Sequence, residues 1–106
     1  MKLIDLIAFF RQGGAFEDFC KTQGLSKDSE VIEIYVLEPI SLDSPLEFFP
    51  IEETGGQIEF RSGEFLYHNL FDFFYFLEVI EDVKGNKKIT DLELAQKIFS
   101  YAIKDA

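Results

Sequence analysis

Outside the carboxylates, few residues of this chain could carry out acid–base or nucleophilic chemistry. His68 is the only histidine and Cys20 is the only cysteine. No nucleophile elbow or catalytic triad motif surrounds His68, so we interpret it as a polar residue at a strand-to-helix junction. Cys20 falls near the end of a predicted helix, where the helix dipole disfavours a thiolate. The sequence therefore predicts a buried structural cysteine.

Carboxylates are numerous, but their spacing matches no catalytic or metal-binding pattern. Glu52 and Glu53 are adjacent and would project to opposite faces of a strand, which is a poor geometry for a catalytic pair. No acidic set has the spacing of a calcium-binding loop, and no Cys/His cluster has zinc spacing. The Gly-Gly pairs lack the neighbouring lysine of a phosphate-binding loop. We therefore predict that the protein is not an enzyme and has no catalytic site, metal site or cofactor.

The acidic residues are concentrated in the middle of the chain. The 106 residues carry a formal net charge of −10. Residues 28–82 contain fourteen acidic residues and a single basic one, Arg61, whereas the two flanking segments are net positive. This charge repels nucleic-acid phosphates and anionic membranes, and it attracts a basic protein. Aromatic residues are interleaved with the carboxylates, namely Tyr35, Phe48, Phe49, Tyr67 and Tyr75.

The candidate site of this sequence is therefore a surface that binds a basic protein partner. Carboxylates would steer the encounter, and aromatic side chains would supply affinity. The predicted aromatic contacts are Tyr35, Phe48 and Tyr75. The predicted acidic contacts are Glu30, Glu33, Glu38, Asp43, Glu47, Glu52, Glu53, Glu59, Glu64, Asp72 and Glu78. No nucleic-acid or membrane partner is expected, and the oligomeric state is left open.

Both ends of the chain are predicted to be helical. Residues 2–12 and 15–23 show apolar positions at helical spacing, each followed by glycine, and are expected to form a helical hairpin. Residues 90–93, Thr-Asp-Leu-Glu, form a capping box that begins a last helix running to about Lys104. The predicted buried face of that helix is Leu92, Ala95, Ile98, Phe99, Ala102 and Ile103.

The middle of the chain is predicted to form a small antiparallel sheet. β-branched residues alternate in the first segment, which favours a strand, with a helix starting at Ser29 as the alternative. Gly55-Gly56 predicts a hairpin, and a turn is expected at Ser62-Gly63. The predicted strands are 30–39, 46–49, 57–61 and 64–67.

The stretch 65–82, FLYHNLFDFFYFLEVIED, is expected to lie at the centre of the core. Its spacing favours a helix over 69–82 with Asn69 as the N-cap, although its aromatic content favours a strand. In such a helix Phe74 lies on the apolar stripe and Glu78 on the acidic one. We therefore expect substitution of Phe74 to unfold the protein, and Glu78→Lys to weaken only binding.

The predicted fold is α+β and forms one domain over residues 1–106. It consists of an N-terminal helical hairpin, a small antiparallel sheet in the middle, and two C-terminal helices packed on that sheet. No apolar stretch reaches the length needed to span a bilayer, and no small-residue cleavage site follows the N-terminal segment. These features predict a cytoplasmic protein.

In size, acidity, low cysteine content and lack of catalytic motifs, the chain resembles small bacterial toxin-immunity proteins. The resemblance covers the whole chain but concerns size and charge, so it maps no family site residue. It implies an inhibitor that covers the surface of a basic toxin, often a nuclease delivered by a neighbouring cell. One alternative is an interaction module that self-associates or docks partners through an aromatic patch. Another is a small enzyme or ligand-binding domain with an aromatic-lined pocket.

Overall fold

The computed structural model describes residues 1–105. Its fold is a four-stranded antiparallel sheet with two helices before it and two after it in the chain, and a short helix between the second and third strands. The strand order is β2-β1-β4-β3. The predicted α+β class and the placement of its parts are therefore confirmed. The elements are α1 (Leu3–Arg11), α2 (Phe16–Gln23), β1 (Ile32–Leu37), β2 (Leu46–Pro50), α3 (Ile51–Thr54), β3 (Glu59–Ser62), β4 (Phe65–Asp72), α4 (Phe73–Asp82) and α5 (Asp91–Asp105).

The N-terminal helical hairpin forms as its apolar spacing predicts. The buried residues of α1 follow the predicted stripe, and α2 ends at Gly24, whose φ of 68° suits a glycine. Cys20 is buried on α2 as predicted, and burial, followed by the nearby charge of Glu17, raises the pKa of its thiol. The cysteine is thus held in its neutral form. The buried stripe of α1 consists of Leu3, Leu6, Ile7 and Phe10.

The aromatic stretch 65–82 is divided between strand and helix at a different place from the one predicted. Strand β4 continues to Asp72, and the side chain of Asp72, not Asn69, caps α4 by accepting the N–H of Tyr75 at 2.8 Å. The reason is that β4 is paired with strands on both sides, β1 and β3. The β1 ladder continues over residues 69–72, and the N–H of Asn69 donates to the carbonyl of Ile58 at 2.8 Å, so a helix starting at Asn69 would remove these backbone groups from the sheet.

The later start of α4 also changes which of its aromatic residues are buried. Phe73 and Phe76 are 1% and 0% exposed, whereas Phe74 is 56% exposed. The expectation that Phe74 lies on the core stripe is therefore wrong. A β-bulge lies opposite the step from Ile34 to Tyr35. There β4 has one extra residue, Leu70, between Asn69 and Phe71, so that both Leu70 and Phe71 pack with the core.

The Gly55-Gly56 pair does not form the predicted hairpin. The short helix α3 precedes it, and Gly55 ends that helix with a φ of 66° while its N–H donates to the carbonyl of Ile51 at 2.8 Å. Strand β3 consequently begins at Glu59 instead of residue 57. The turn before β4 lies at Gly63-Glu64, one residue later than predicted.

The last helix has the predicted cap but buries a different face. Thr90 Oγ1 accepts the N–H of Glu93 at 3.0 Å, and Glu93 Oε1 accepts the N–H of Thr90 at 3.3 Å. Leu92 and Ile103, which were predicted to be buried, are 48% and 38% exposed. The buried residues are Leu94, Ala95, Ile98 and Ala102.

A half-buried arginine holds the start of this helix. The guanidinium of Arg11 on α1 donates to Asp91 Oδ1 at 2.9 Å and to the carbonyl of Ile89 at 3.0 Å. It also donates to the carbonyl of Asn86 at 3.1 Å. These three bonds hold the first residue of α5 and the segment before it against α1. Within residues 1–105, no helix combines the length and apolarity that crossing a bilayer demands.

Candidate partner-binding surface

The two faces of the sheet have different surroundings. Residues paired across antiparallel strands project to the same side, so the register assigns each side chain to a face. The inner face packs against the helices and belongs to the main hydrophobic core. Its residues on β1 and β2 are Ile32, Ile34, Val36, Leu46 and Phe48. The outer face carries Leu37, Glu47, Phe49, Phe60, Phe65 and Tyr67, with Tyr35 beneath them.

The aromatic rings of the outer face form a cluster of their own. In residues 1–105 none of these rings contacts a ring of the inner core. Phe65 is 55% exposed, and Phe49, Phe60 and Tyr67 are half-buried. The outer face is thus an aromatic surface that no long helix covers. Its ring pairs and centroid separations are Tyr35–Phe49 (5.4 Å), Tyr35–Phe60 (6.3 Å), Phe49–Phe60 (5.0 Å), Phe49–Tyr67 (5.3 Å) and Phe65–Tyr67 (6.5 Å).

Tyr35 supports this surface from below. Its side chain is 0% exposed, and its hydroxyl donates to the carbonyl of Gln57 at 2.7 Å. Burial is the main reason that its pKa is raised. The prediction of Tyr35 as an anchor that touches a partner is therefore wrong, because it lies at the centre of the sheet where no partner can reach it.

Phe48 was also predicted to contact a partner, and this is wrong as well. It projects to the inner face, is 5% exposed, and its ring lies 5.0 Å from that of Phe19. Its neighbour Phe49 projects to the outer face instead. Alternation along the strand therefore assigns the two phenylalanines opposite roles.

The side chain of Glu33 forms hydrogen bonds within the protein. Its carboxylate accepts an N–H of the Asn69 amide at 2.8 Å and the hydroxyl of Thr54 at 3.4 Å. The Thr54 hydroxyl in turn accepts the N–H of Gly56 at 3.2 Å. This half-buried network ties α3 and the following loop to the sheet beside Tyr35. It leaves Glu33 with less freedom to meet a partner than the exposed carboxylates have.

Two of the predicted carboxylates border the outer aromatic cluster. Glu47 lies opposite Tyr35 in the β1–β2 register and therefore projects to the outer face. Its charge, after burial, contributes to raising the pKa of Tyr67. Glu64 is exposed in the turn that immediately precedes Phe65. The outer face thus carries a carboxylate on β2, and a second, exposed carboxylate lies in the β3–β4 turn next to Phe65 in sequence.

A second acidic group lies around α3. Glu52 and Glu53 are exposed on this helix, and Glu52 Oε2 accepts the backbone N–H of Glu30 at 3.0 Å. Because Thr54 and Gln57 contact Glu33 and Tyr35, this group lies at the α3 end of the outer face. The structure therefore brings Glu30, Glu52 and Glu53 together at one end of the sheet.

Most of the other predicted contacts lie away from the outer face, whereas Asp72 pairs with Glu33 in the β1–β4 register and lies at the α4 end of that face. Glu38 Oε2 is 3.7 Å from His68 Nε2. His68 itself lies within β4 and not at the predicted strand-to-helix junction. Asp43 is 3.9 Å from Lys2. Glu59 is paired with His68 on the side of the sheet opposite the outer cluster. Asp72, Tyr75 and Glu78 lie at the start of α4 or on it, where the ring of Tyr75 stacks on Tyr101 at 5.9 Å.

The acidic segment is largely unneutralised in the fold. Of the fourteen carboxylates in 28–82, three have a basic group at salt-bridge distance within residues 1–105: Glu38, Asp43 and Glu81. The most buried salt bridge, between Arg11 and Asp91, joins the two flanking segments instead. The fold therefore leaves the charge of the middle segment facing solvent.

A solvent-filled cleft of about 500 Å³ lies elsewhere, between the α1–α2 joint and the end of α4. Its charged lining residues are Arg11, Glu81, Lys84 and Lys87, and Arg11 is already held by Asp91. Among residues 1–105, no group of three or more histidine, cysteine or acidic residues could hold a metal ion. This cleft consequently carries no recognisable acid–base constellation.

Comparison with known proteins identifies no relative. No protein-family model, no curated protein and no solved structure matches the chain. Phe60 was not among the predicted contacts. Phe65 was expected to lie in the core with the rest of the stretch 65–82, and this is wrong, because it is exposed on the outer face. The period-two spacing of Phe65, Tyr67 and Asn69 would have indicated one face of a strand if β4 had been predicted at its full length.

Proposed function

We propose that this protein is an immunity-type inhibitor, which binds a basic toxin domain in the bacterial cytoplasm and covers the toxin's functional surface. A nuclease domain is the expected partner, because a nuclease must itself carry a positive surface to bind nucleic acid. The observation that carries the proposal is the unneutralised middle segment. Eleven of its fourteen carboxylates have no basic group at salt-bridge distance within residues 1–105.

Unneutralised negative charge in one segment destabilises the isolated folded protein and favours a complex with a cationic partner. Like charges repel within the folded chain, and a cationic partner relieves that repulsion. The same field accelerates association, because oppositely charged surfaces attract each other before contact. A high association rate suits an inhibitor that must capture a toxin before the toxin acts.

The test is co-expression with a toxin candidate, chosen as the product of the gene directly upstream where that gene encodes a toxin or a large secreted effector. We expect the chain to restore growth of a bacterial host that expresses the candidate, and the two purified proteins to form a complex. The association rate should fall as ionic strength rises, because salt screens exposed charges beyond about 10 Å at 0.1 M. A complex whose association rate is insensitive to salt would contradict the proposal.

Matched charge variants separate steering from general damage. Glu53→Lys and Glu64→Lys reverse exposed charges in the acidic segment and should slow association. Lys87→Glu and Lys88→Glu reverse exposed charges in the positive C-terminal segment and should leave the rate unchanged or raise it. Equal effects from both pairs would show that the location of the charge does not matter, and would count against the proposal.

Self-association through the outer face is the alternative, and the electrostatics disfavour it. Two copies docked by this face would bring their Glu47 and Glu64 carboxylates together without a basic residue to separate them. Sedimentation of the isolated protein at low and high salt distinguishes the two. A monomer at low salt supports the inhibitor, whereas a stable dimer at low salt supports a self-associating module.

A further inference from the structure

The outer aromatic cluster and the two carboxylates beside it have the composition of a site for planar cations. We propose that the partner docks on this face with arginine side chains, whose guanidinium groups stack on Phe65, Tyr67 and Phe49 while Glu47 and Glu64 accept their N–H groups. This inference rests on the proposed function, since it specifies the chemistry of the same basic partner.

The first observation is that aromatic ring surface remains available in a fixed position. Phe65 is 55% exposed on β4, which is paired to β3 on one side and β1 on the other. Its ring is tilted by 51° from that of Tyr67, and the rings of Phe49 and Tyr67 meet at 73°. Rings held by strand pairing and by each other lose little freedom on binding, which favours affinity.

The second observation is that negative charge lies close to these rings without a positive partner. Glu47 lies opposite Tyr35 in the β1–β2 register and therefore projects to the outer face, and its charge, after burial, contributes to raising the pKa of Tyr67. Within residues 1–105, neither Glu47 nor Glu64 forms a salt bridge. Arg61 is the only basic residue of the acidic segment, and it is paired with Leu66, so it projects away from the outer face.

Arginine fits this combination better than the other candidates do. A guanidinium is planar, stacks on aromatic rings, and donates two parallel hydrogen bonds to a carboxylate. A lysine ammonium is a compact, strongly hydrated charge that stacks less well. An apolar surface would cover Glu47 without supplying a charge or donor, and leaving a buried carboxylate unpaired is strongly unfavourable.

The test uses two short peptides as probes, one of alternating arginine and glycine and the other with lysine in place of arginine. Binding to the full chain is followed by the backbone amide NMR signals. We expect the arginine peptide to bind more tightly than the lysine peptide, with its largest signal changes on β3, β4 and β2.

Two phenylalanines of equal exposure provide a matched pair of variants. Phe65 is 55% exposed on the outer face, and Phe74 is 56% exposed on α4. Phe65→Ala should weaken binding of the arginine peptide about two- to fivefold, the size of a cation–aromatic contact at an exposed site. Phe74→Ala should leave that affinity unchanged. Both side chains are exposed, so neither variant should unfold the protein.

The outcomes separate this inference from the function on which it rests. Equal affinities for the two peptides, or equal effects of Phe65→Ala and Phe74→Ala, would overturn the arginine site while leaving a basic partner in place. No binding of either peptide would overturn it too. Failure of the growth-rescue experiment would instead remove the proposed function, whatever the peptides do.

Discussion

The two faces of the sheet use the same kinds of residue for different purposes. On the inner face, Phe73 and Phe76 of α4 belong to the main core with almost no exposure, and the ring of Phe73 lies 6.0 Å from that of Phe48 on β2. On the outer face, Phe49 and Tyr67 are half-buried and Phe65 is mostly exposed. In residues 1–105 the rings of one cluster do not contact those of the other. Aromatic content alone therefore does not indicate whether a segment builds the core or forms a surface.

Polar groups sharpen this difference. The inner core consists of apolar side chains, whereas the outer cluster lies over a hydrogen-bonded group formed by Tyr35, Glu33, Asn69 and Thr54. Every buried side-chain nitrogen or oxygen in the described part of the chain has a hydrogen-bond partner. The inner face thus depends mainly on packing, and the outer face depends on directed bonds that hold its rings in place.

The largest expected effect distinguishes buried from exposed phenylalanines on the same helix. Phe76→Ala should lower the free energy of unfolding by about 3–5 kcal/mol, because it leaves a cavity in the inner core. Phe74→Ala should change it by no more than about 0.5 kcal/mol. Urea denaturation measures both. Similar losses from the two variants would mean that α4 does not bury the face described here.

A smaller effect is expected from the hydroxyl groups beneath and within the outer cluster. Tyr35→Phe removes the bond to the carbonyl of Gln57 and should cost about 1 kcal/mol of unfolding free energy. Tyr67→Phe is the control, since within residues 1–105 the structure gives the Tyr67 hydroxyl no hydrogen bond. Thermal denaturation of both variants compares them. Equal destabilisation would argue that Tyr35 does not anchor the loop at Gln57.

The smallest effect concerns alkaline pH. The pKa of Tyr67 is raised by burial first and by Glu47 second, so Glu47→Gln should lower it only part of the way towards the ordinary value of about 10. Glu47 is not among the causes of the raised pKa of Tyr35, which should therefore stay the same in this variant. Tyrosine NMR signals followed through the titration measure both values. An unchanged pKa for Tyr67 would contradict the closeness of Glu47.

The sign of the linked stability change follows from the proton count. Because the folded-state pKa of Tyr67 is raised, the folded state keeps a proton that the unfolded state loses above about pH 10. The stabilisation is complete below that pH and is lost as the pH rises through the folded-state pKa. The Glu47→Gln variant has the smaller pKa shift, so its free energy of unfolding should fall less than that of the wild type as the pH rises above about 10. A stability that rises with pH in that window would exclude this linkage.

Much of the fold follows from local sequence signals. Four features lie where the pattern predicts them. They are the apolar stripe of α1, the left-handed glycine after α2, the capping box of α5 and the first two strands. Each depends on residues close in sequence, such as Thr90 and Glu93. Signals of this kind are readable because the interaction that fixes the element lies within the element itself.

The boundaries that the sequence misplaces are fixed by distant contacts. Asn69 and Asp72 are both reasonable N-caps, and the pairing of residues 69–72 with β1 decides between them. Arg11, a residue far away in the chain, likewise holds the start of α5. The sequence shows the charge of the middle segment but not which of its aromatic residues face solvent. Assigning Phe48 and Phe49 to opposite faces requires knowing which side the helices cover.

The separation of the two aromatic clusters has a consequence for how such a protein can change over generations. Substitutions at sites that share no contacts tend to add in their effects on stability. Exposed residues of the outer face, such as Phe65 and Glu64, can therefore be exchanged while the inner core keeps the chain folded. A lineage that carries this scaffold can exchange residues of the outer face one at a time, without passing through unfolded intermediates.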